Sequence, residues 1–273
     1  MKTTISDKIL LVEDNQVNCE VAIDMLETLG CDVDIAINGE QAVKAYQSCD
    51  YKLILMDCEM PVMDGFLATK AIREREQLLS LKPIPIIALT AHAVVGAKEK
   101  CLDHGMNDFL SKPFNMSTLD ILLKKWFVCG NDEKSNNEVS DSGNSALQKA
   151  PISQHDASHI IDVSVIEMLN SRQKNDGASL MKKVVCAYLL QSAQLLQNLT
   201  IATEQSDIET IRTVSHALKS SSINVGAIGF SELCKKIERH CEQGEIKEML
   251  IEDVHNTYVD VELALTEILQ ASK

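Results

Sequence analysis

Five short apolar runs, separated by stretches of helical character, constrain the first half of this 273-residue chain more than any other feature. The runs occupy residues 8–12, 33–36, 53–56, 86–89 and 108–110, and helical stretches occupy 16–29, 39–46 and 118–127. The runs lack polar alternation, which is typical of strands covered on both faces. Strands that alternate with helices form βαβ units. The sequence therefore predicts an α/β domain in which helices cover both faces of a parallel sheet.

The second half has a different pattern. Its apolar residues recur at helical spacing in five segments, namely 163–169, 180–199, 208–225, 228–237 and 249–269. Such a pattern without strand-like runs predicts an all-α antiparallel helical bundle. Residues 129–160, rich in Ser, Asn and Asp, show no period and are predicted to be a flexible linker. The predicted division is thus an α/β domain over 1–128, a linker over 129–160 and a bundle over 161–273.

Charge and composition exclude several classes of function. The chain has 26 basic and 40 acidic residues, a net charge of −14, which disfavours binding to nucleic acid or to a membrane surface. No apolar run approaches the roughly 20 residues that span a bilayer, and the first residues do not resemble a signal peptide. The nine cysteines form no CxxC pair, so a zinc site is disfavoured and reduced thiols in the cytoplasm are expected.

Polar groups follow four of the predicted strands at the point where each strand ends. Glu13 and Asp14 follow the first strand, Asp57 the third, Thr90 the fourth and Lys112 the fifth. The carboxyl ends of parallel strands share one sheet edge, where ligands bind in open α/β folds. Three carboxylates this close repel each other unless a cation joins them. The sequence therefore predicts a site for a hard divalent ion, Mg²⁺ above all.

A carboxylate in this position can act as a nucleophile. If Asp57 attacks phosphorus, the product is an acyl phosphate. Thr90 and Lys112 would then supply a hydrogen-bond donor and a cation to the oxygens of the transferring group. Aspartyl-phosphate phosphatases also use such an aspartate, but they carry a second aspartate two residues later, where this chain has Glu59.

At these motifs the chain resembles response-regulator receiver domains. The resemblance is carried by LLVEDN (10–15), LILMDCEMPVMDG (53–65), ALTAHA (88–93) and DFLSKPF (108–114). It implies a flavodoxin-like five-stranded parallel sheet with Asp57 as the phosphoacceptor. It further implies that Asp14, Asp57 and the backbone carbonyl of Glu59 ligate Mg²⁺, with Glu13 acting through water.

The same resemblance implies roles for three more residues and one peptide bond. Thr90 and Lys112 would hold the phosphoryl group, and Phe109 occupies the position of the aromatic switch residue. The Lys112–Pro113 peptide bond is expected to be cis.

One histidine of the predicted bundle, in the helical segment 208–225, occupies a distinctive position. On a helical wheel centred on His216, the apolar residues Ile211, Val214, Leu218 and Val225 fall on the opposite side. The wheel therefore predicts that the imidazole points to solvent. The small Ser220 would leave it accessible, and Arg212 and Lys219 would attract a phosphoryl group.

The segment HALKSSSINVGA (216–227) resembles the signature of histidine phosphotransfer (HPt) domains. The resemblance implies that His216 is a second phosphoacceptor. A receiver followed by an HPt domain is similar to the C-terminal part of bacterial hybrid sensor histidine kinases.

Together the two resemblances indicate a two-component phosphorelay protein. Asp57 would accept a phosphoryl group from the phosphohistidine of a histidine kinase, in the same polypeptide or separate, and His216 would pass it to a downstream receiver. The chain shows neither a Gly-rich nucleotide loop nor a P-loop, so we expect phosphotransfer without ATP binding. The alternative is a phosphorylation-controlled receiver switch whose bundle only docks or dimerises.

Overall fold

The structure is a computed structural model that describes residues 7–90, 97–128, 160–171 and 179–272. Its first domain contains a five-stranded sheet whose paired strands are all parallel, in the order β2–β1–β3–β4–β5. The strands are β1 (Lys8–Val12), β2 (Asp32–Ala36), β3 (Leu53–Asp57), β4 (Ile86–Thr90) and β5 (Asp108–Ser111). This strand order is that of flavodoxin-like α/β folds, so the predicted fold is confirmed.

Helices cover both faces of this sheet. They are α1 (Gln16–Thr28), α2 (Gly39–Ser48), α3 (Gly65–Leu78), α4 (Ala97–Asp103) and α5 (Met116–Val128). Along β3, Leu53 and Leu55 face the core layer shared with α1 and α5, whereas Ile54 and Met56 face the layer shared with α2, α3 and α4. Every residue of β3 and β4 is buried, which explains why these strands lack polar alternation.

The second domain is helical, as predicted. Its helices are α6 (Val163–Ser171), α7 (Leu180–Glu204), α8 (Ile208–Asn224), α9 (Ile228–Glu242) and α10 (Glu248–Ala271). The apolar side chains opposite His216 are buried, as the helical wheel predicts: Ile211, Val214, Leu218 and Val225. Helix α6 belongs to the same core, because Ile166 and Leu169 are buried among its residues. Within the described residues no helix combines the length and apolar character needed to cross a membrane.

The two domains pack against each other through α1 of the first, which lies against α7 and α8 of the second. Asn15 caps α1 by accepting hydrogen bonds from the backbone N–H groups of Val17 and Asn18 at 3.0 and 3.2 Å. Its side-chain Nδ2 donates to the backbone oxygen of Ala217 at 3.2 Å, so the same residue starts α1 and joins it to α8. The linker predicted over 129–160 lies outside the described residues, apart from residue 160.

Gly65, the first residue of α3, packs closely against the backbone of Asp57. A Cβ atom at residue 65 would lie 2.1 Å from the backbone oxygen of Asp57. We therefore expect Gly65→Ala to destabilise this domain by about 2 kcal/mol or more through forced backbone displacement. The measurement is urea unfolding followed by the fluorescence of Trp126, the single tryptophan of the chain, which lies in α5.

Gly229→Ala is the matched control, because a Cβ atom there has no neighbour within 4 Å. It should leave the Trp126 transition unchanged. An equal midpoint for Gly65→Ala and wild-type protein would show that this close contact can relax at no cost.

Candidate functional site

Three carboxylates meet at the carboxyl edge of the sheet, as predicted. Glu13 and Asp14 follow β1, and Asp57 is the last residue of the central strand β3. One oxygen from each of these side chains lies within 4.8 Å of the others. Glu13 and Asp57 are buried, and Asp14 is half-buried. Their mutual repulsion must therefore be offset locally, because little water reaches them.

Lys112 supplies part of that compensation. Its Nζ lies 2.6 Å from Asp57 Oδ2 and 2.5 Å from Glu13 Oε2. The lysine follows β5, and the peptide bond to Pro113 is cis, as expected. One ammonium group thus bridges the acids from β1 and β3. Burial lowers the pKa of Lys112, but the charges of Asp57 and Glu13 outweigh this effect and raise it overall, so the lysine is a fixed cation.

Burial and the neighbouring charges shift the pKa values of Asp14 and Asp57. Burial, together with the charge of Asp57, raises the pKa of Asp14 to about 6. Burial also raises the pKa of Asp57, and Lys112 opposes that rise. Asp57 Oδ1 accepts a hydrogen bond from the backbone N–H of Glu59 at 3.2 Å. Burial is the main cause of both shifts, and Lys112 opposes them without cancelling them.

The donor set fits a hard divalent cation. Three clustered carboxylate groups, with one lysine bridging two of them, leave negative charge at a site built from oxygen ligands. Asp14 and Asp57 could together hold Mg²⁺, with Glu13 beside them, and this assignment stays a prediction. The position of the Glu59 carbonyl as a further ligand stays a prediction.

The remaining predicted residues of this domain lie around the same edge. Thr90 ends β4, is buried and lines the cleft in front of Asp57. Phe109 lies on β5, where it is half-buried and packs against the core layer shared with α3 and α4. Their roles as a phosphoryl ligand and a switch residue stay predictions.

His216 does not point to open solvent, and that expectation is corrected. Its side chain is only 12% exposed. Its Nδ1 lies 2.6 Å from Glu238 Oε1 on α9 and 3.6 Å from Glu59 Oε2 of the first domain. The helical wheel describes one isolated helix. It correctly excludes His216 from the core side, but it does not register a neighbouring helix or a second domain covering the other side.

The residues predicted around His216 are adjacent to it, but they already have partners. Lys219 forms an ion pair with Glu238. Arg212 pairs with Glu209 at 2.9 Å and with Glu59 at 3.2 Å. Arg212 and Lys219, which were predicted to attract a phosphoryl group, are therefore already paired with carboxylates.

Ser220 is engaged as well. Its Oγ accepts a hydrogen bond from Asn18 Nδ2 on α1 at 3.0 Å. This predicted small neighbour of His216 thus forms part of the contact between the two domains.

Glu238 was not predicted from the sequence, although the sequence contains a signal for it. The buried positions of α9 follow a helical stripe of Phe230, Ser231, Cys234, Ile237, Glu238 and Cys241. A carboxylate on an apolar stripe must find a partner when it is buried. Burial raises the pKa of Glu238, but His216 and Lys219 overcome this and lower it to about 2. The stripe could have flagged the residue, but it could not have identified His216 as its partner.

One cleft brings the two candidate phosphoacceptors together. It has a volume of about 630 Å³ and lies between the first domain and the bundle. Asp14, Asp57, Thr90 and Lys112 line one side, and Arg212, His216 and Ser220 line the other. The arrangement places a nucleophilic carboxylate and an imidazole in a shared site with fixed cations around it. Such a site suits phosphoryl transfer, which depends on position and charge compensation.

Comparison with known proteins defines both halves. Residues 9–124 match the family model of the response regulator receiver domain. The receiver domain of the sensor histidine kinase PA1611 from Pseudomonas aeruginosa is 46% identical, with 45% of this chain and 98% of that one covered and a TM-score of 0.41. That structure is described with a magnesium ion coordinated in the active-site cleft. The match to the family model identifies residues 9–124 as a receiver domain.

Residues 183–271 match the family model of the Hpt domain. The aerobic respiration control sensor protein ArcB of Escherichia coli is 29% identical over 231 residues, covering 84% of this chain and 27% of ArcB. Hybrid signal transduction histidine kinase B of Dictyostelium discoideum is 48% identical over 126 residues, covering 43% of this chain and 6% of that protein. The chain therefore combines a segment that matches the receiver domain model with a following segment that matches the Hpt domain model. It spans about a quarter or less of these two relatives.

The contact of Glu238 with His216 and Lys219 makes its contribution to stability depend on pH. The pKa of Glu238 lies below its ordinary value of 4.5 in the folded protein, at about 2. Its stabilising contribution is therefore complete above pH 4.5 and is lost as the pH falls toward 2. We expect Glu238→Gln to lower the free energy of unfolding by about 1 to 3 kcal/mol near pH 6 and by much less near pH 2.5.

Helix loss in urea, followed by far-ultraviolet circular dichroism at several pH values, measures this difference. Glu232→Gln on the same helix is the control, because its carboxylate pairs only with exposed Lys235 among the contacts described. A Glu238→Gln effect of the same size at pH 2.5 and pH 6 would contradict the assignment.

Proposed function

We propose that this chain carries two successive stations of a phosphorelay, Asp57 and His216. The observation that supports this function is the shared cleft, which is lined by Asp57 from one domain and by His216 from the other. A histidine kinase, in the same polypeptide or separate, supplies the phosphoryl group as a phosphohistidine. A downstream receiver collects it from His216.

In the first step a carboxylate oxygen of Asp57 attacks the phosphorus of the donor's phosphohistidine. The N–P bond of the donor breaks as the acyl O–P bond forms, and the electron pair returns to the donor imidazole. Lys112, 2.6 Å from Asp57, compensates charge on the transferring group. Thr90 at the end of β4 supplies a hydroxyl to the same edge. A magnesium ion bound by Asp14 and Asp57 would neutralise further charge on the phosphoryl oxygens.

In the second step the imidazole of His216 attacks the phosphorus held on Asp57. The acyl O–P bond breaks and releases the Asp57 carboxylate, while a new N–P bond forms. An ionised carboxylate only accepts hydrogen bonds, so Nδ1 of His216 carries the proton that faces Glu238. Nε2 of the neutral ring is then the nitrogen with a free lone pair. Glu238 thereby selects the tautomer and fixes the ring orientation.

We expect radiolabelled acetyl phosphate with Mg²⁺ to label Asp57 in the intact chain. Asp57→Ala should lose base-labile label to background, because the acyl phosphate can no longer form. Chelation of the metal with EDTA should reduce labelling of the wild-type chain in the same way. Equal labelling of wild-type and Asp57→Ala protein would remove Asp57 from this role.

A second experiment tests the transfer to His216. Acyl phosphates are lost in base and phosphohistidines in acid, so the two labels are separable. Wild-type protein should gain base-stable, acid-labile label after Asp57 is labelled, and His216→Ala should retain only the base-labile form. His255→Ala, which alters a histidine on α10, is the control and should behave like wild type.

The alternative of a receiver switch with a docking bundle makes the opposite prediction. It gives base-labile label only, in wild-type and His216→Ala protein alike. The packing of α1 on α8 is compatible with both functions, whereas the His216–Glu238 pair favours the relay, because a docking surface does not require a controlled histidine tautomer.

A further inference from the structure

We propose that the ion pair between Glu59 and Arg212 determines which receivers can use His216. On this inference the bundle recognises a receiver by a carboxylate two residues after its phosphoacceptor aspartate. The downstream partner of His216 would then be a receiver with an acidic residue at that position. The inference rests on the proposed function, because it names the partner chemistry of the same site.

The Glu59–Arg212 ion pair lies where it depends on how Asp57 and His216 are aligned with each other. Arg212 Nη1 lies 3.2 Å from Glu59 Oε2 across the boundary between the domains. The backbone N–H of Glu59 donates to Asp57, and Arg212 lies four residues before His216 on α8. Each partner is therefore tied to one phosphoacceptor. When the pair forms, it sets the position of His216 relative to Asp57.

Three neutral hydrogen bonds across this boundary serve a different purpose. Asn18 Nδ2 donates to Ser220 Oγ at 3.0 Å, and Asn18 Oδ1 accepts from Asn224 Nδ2 at 2.8 Å. Asn15 donates to the Ala217 carbonyl. These amide contacts hold α1 on α8 whatever the charge at residues 59 and 212. Among the contacts described they supply attachment, whereas the ion pair can reject a partner of the wrong charge.

Charge reversal should therefore act as a selectivity switch. Glu209 already accepts from Arg212 at 2.9 Å, so a glutamate at position 212 would face both Glu59 and Glu209. An arginine at position 59 would face Arg212 and leave it with Glu209 alone. Both single reversals replace an attraction by a repulsion at a half-buried site, and exchanging the two charges restores the attraction.

The test uses the full chain, labelled on Asp57 with acetyl phosphate and Mg²⁺. The rate of base-stable label on His216, normalised to the label on Asp57, is measured for Glu59→Arg, Arg212→Glu and the double exchange. We expect each single reversal to slow transfer about tenfold and the double exchange to recover most of the loss. Glu209→Gln is the control, because it removes the partner of Arg212 on its own helix and leaves the contact across the boundary.

A second measurement reports docking without phosphotransfer. Diethyl pyrocarbonate modification of His216 is followed by mass spectrometry, with His255 as the internal reference. Single reversals should raise modification of His216, and the double exchange should restore protection. Wild-type rates in both single variants, or a double variant with the two losses simply multiplied, would overturn the inference. Restored protection with no base-stable label in any variant would instead refute the relay and leave the ion pair standing.

Discussion

The buried ammonium group of Lys112 is the interaction on which the receiver site depends. It draws together carboxylates from two neighbouring strands, Glu13 after β1 and Asp57 at the end of β3. Without a cation between them, two buried acids this close would take up a proton or move apart. Parallel strands deliver these residues to one edge, and the salt bridges fix them there. The chemistry of Asp57 follows from that fixed position, since a phosphoryl group attached to it meets a cation already in place.

The closed arrangement of the two domains has a consequence for the order of events. With the receiver packed on α8, the His216 side chain is only 12% exposed. On the proposed function, a downstream receiver would need to reach the same imidazole, and it could do so only after the receiver of this chain has left. Transfer within the chain and transfer out of it are therefore sequential. Joining both stations in one chain favours the first of these steps, because the encounter of Asp57 with His216 is intramolecular.

Much of the fold follows from local patterns. The order of Glu13, Asp57, Thr90 and Lys112 along the chain was enough to predict their meeting, because parallel topology gathers the ends of strands whatever the details of packing. The sides of α8 could also be assigned, since a helical wheel depends only on residue spacing.

The surroundings of His216 could not be predicted in the same way. Glu238 is 22 residues away on another helix, and Glu59 lies in another domain. Their contacts depend on how whole elements pack, which no short-range pattern encodes. The incorrect expectation of a solvent-exposed imidazole has this origin. A buried acid on an apolar stripe, as at Glu238, is a sequence feature that can expose such an error.

The charges of the cleft explain how one site can serve both stations. Three fixed cations, Lys112, Arg212 and Lys219, are shared among carboxylates from both domains. Transfer between Asp57 and His216 moves a negative group across the cleft without changing the total charge within it. The surrounding charges therefore favour neither station strongly, provided that cations lie on both sides, as Lys112 and Lys219 do. On the proposed function, the direction of flow would then be set by the partner that supplies or removes the phosphoryl group, and transfer across the cleft would be reversible.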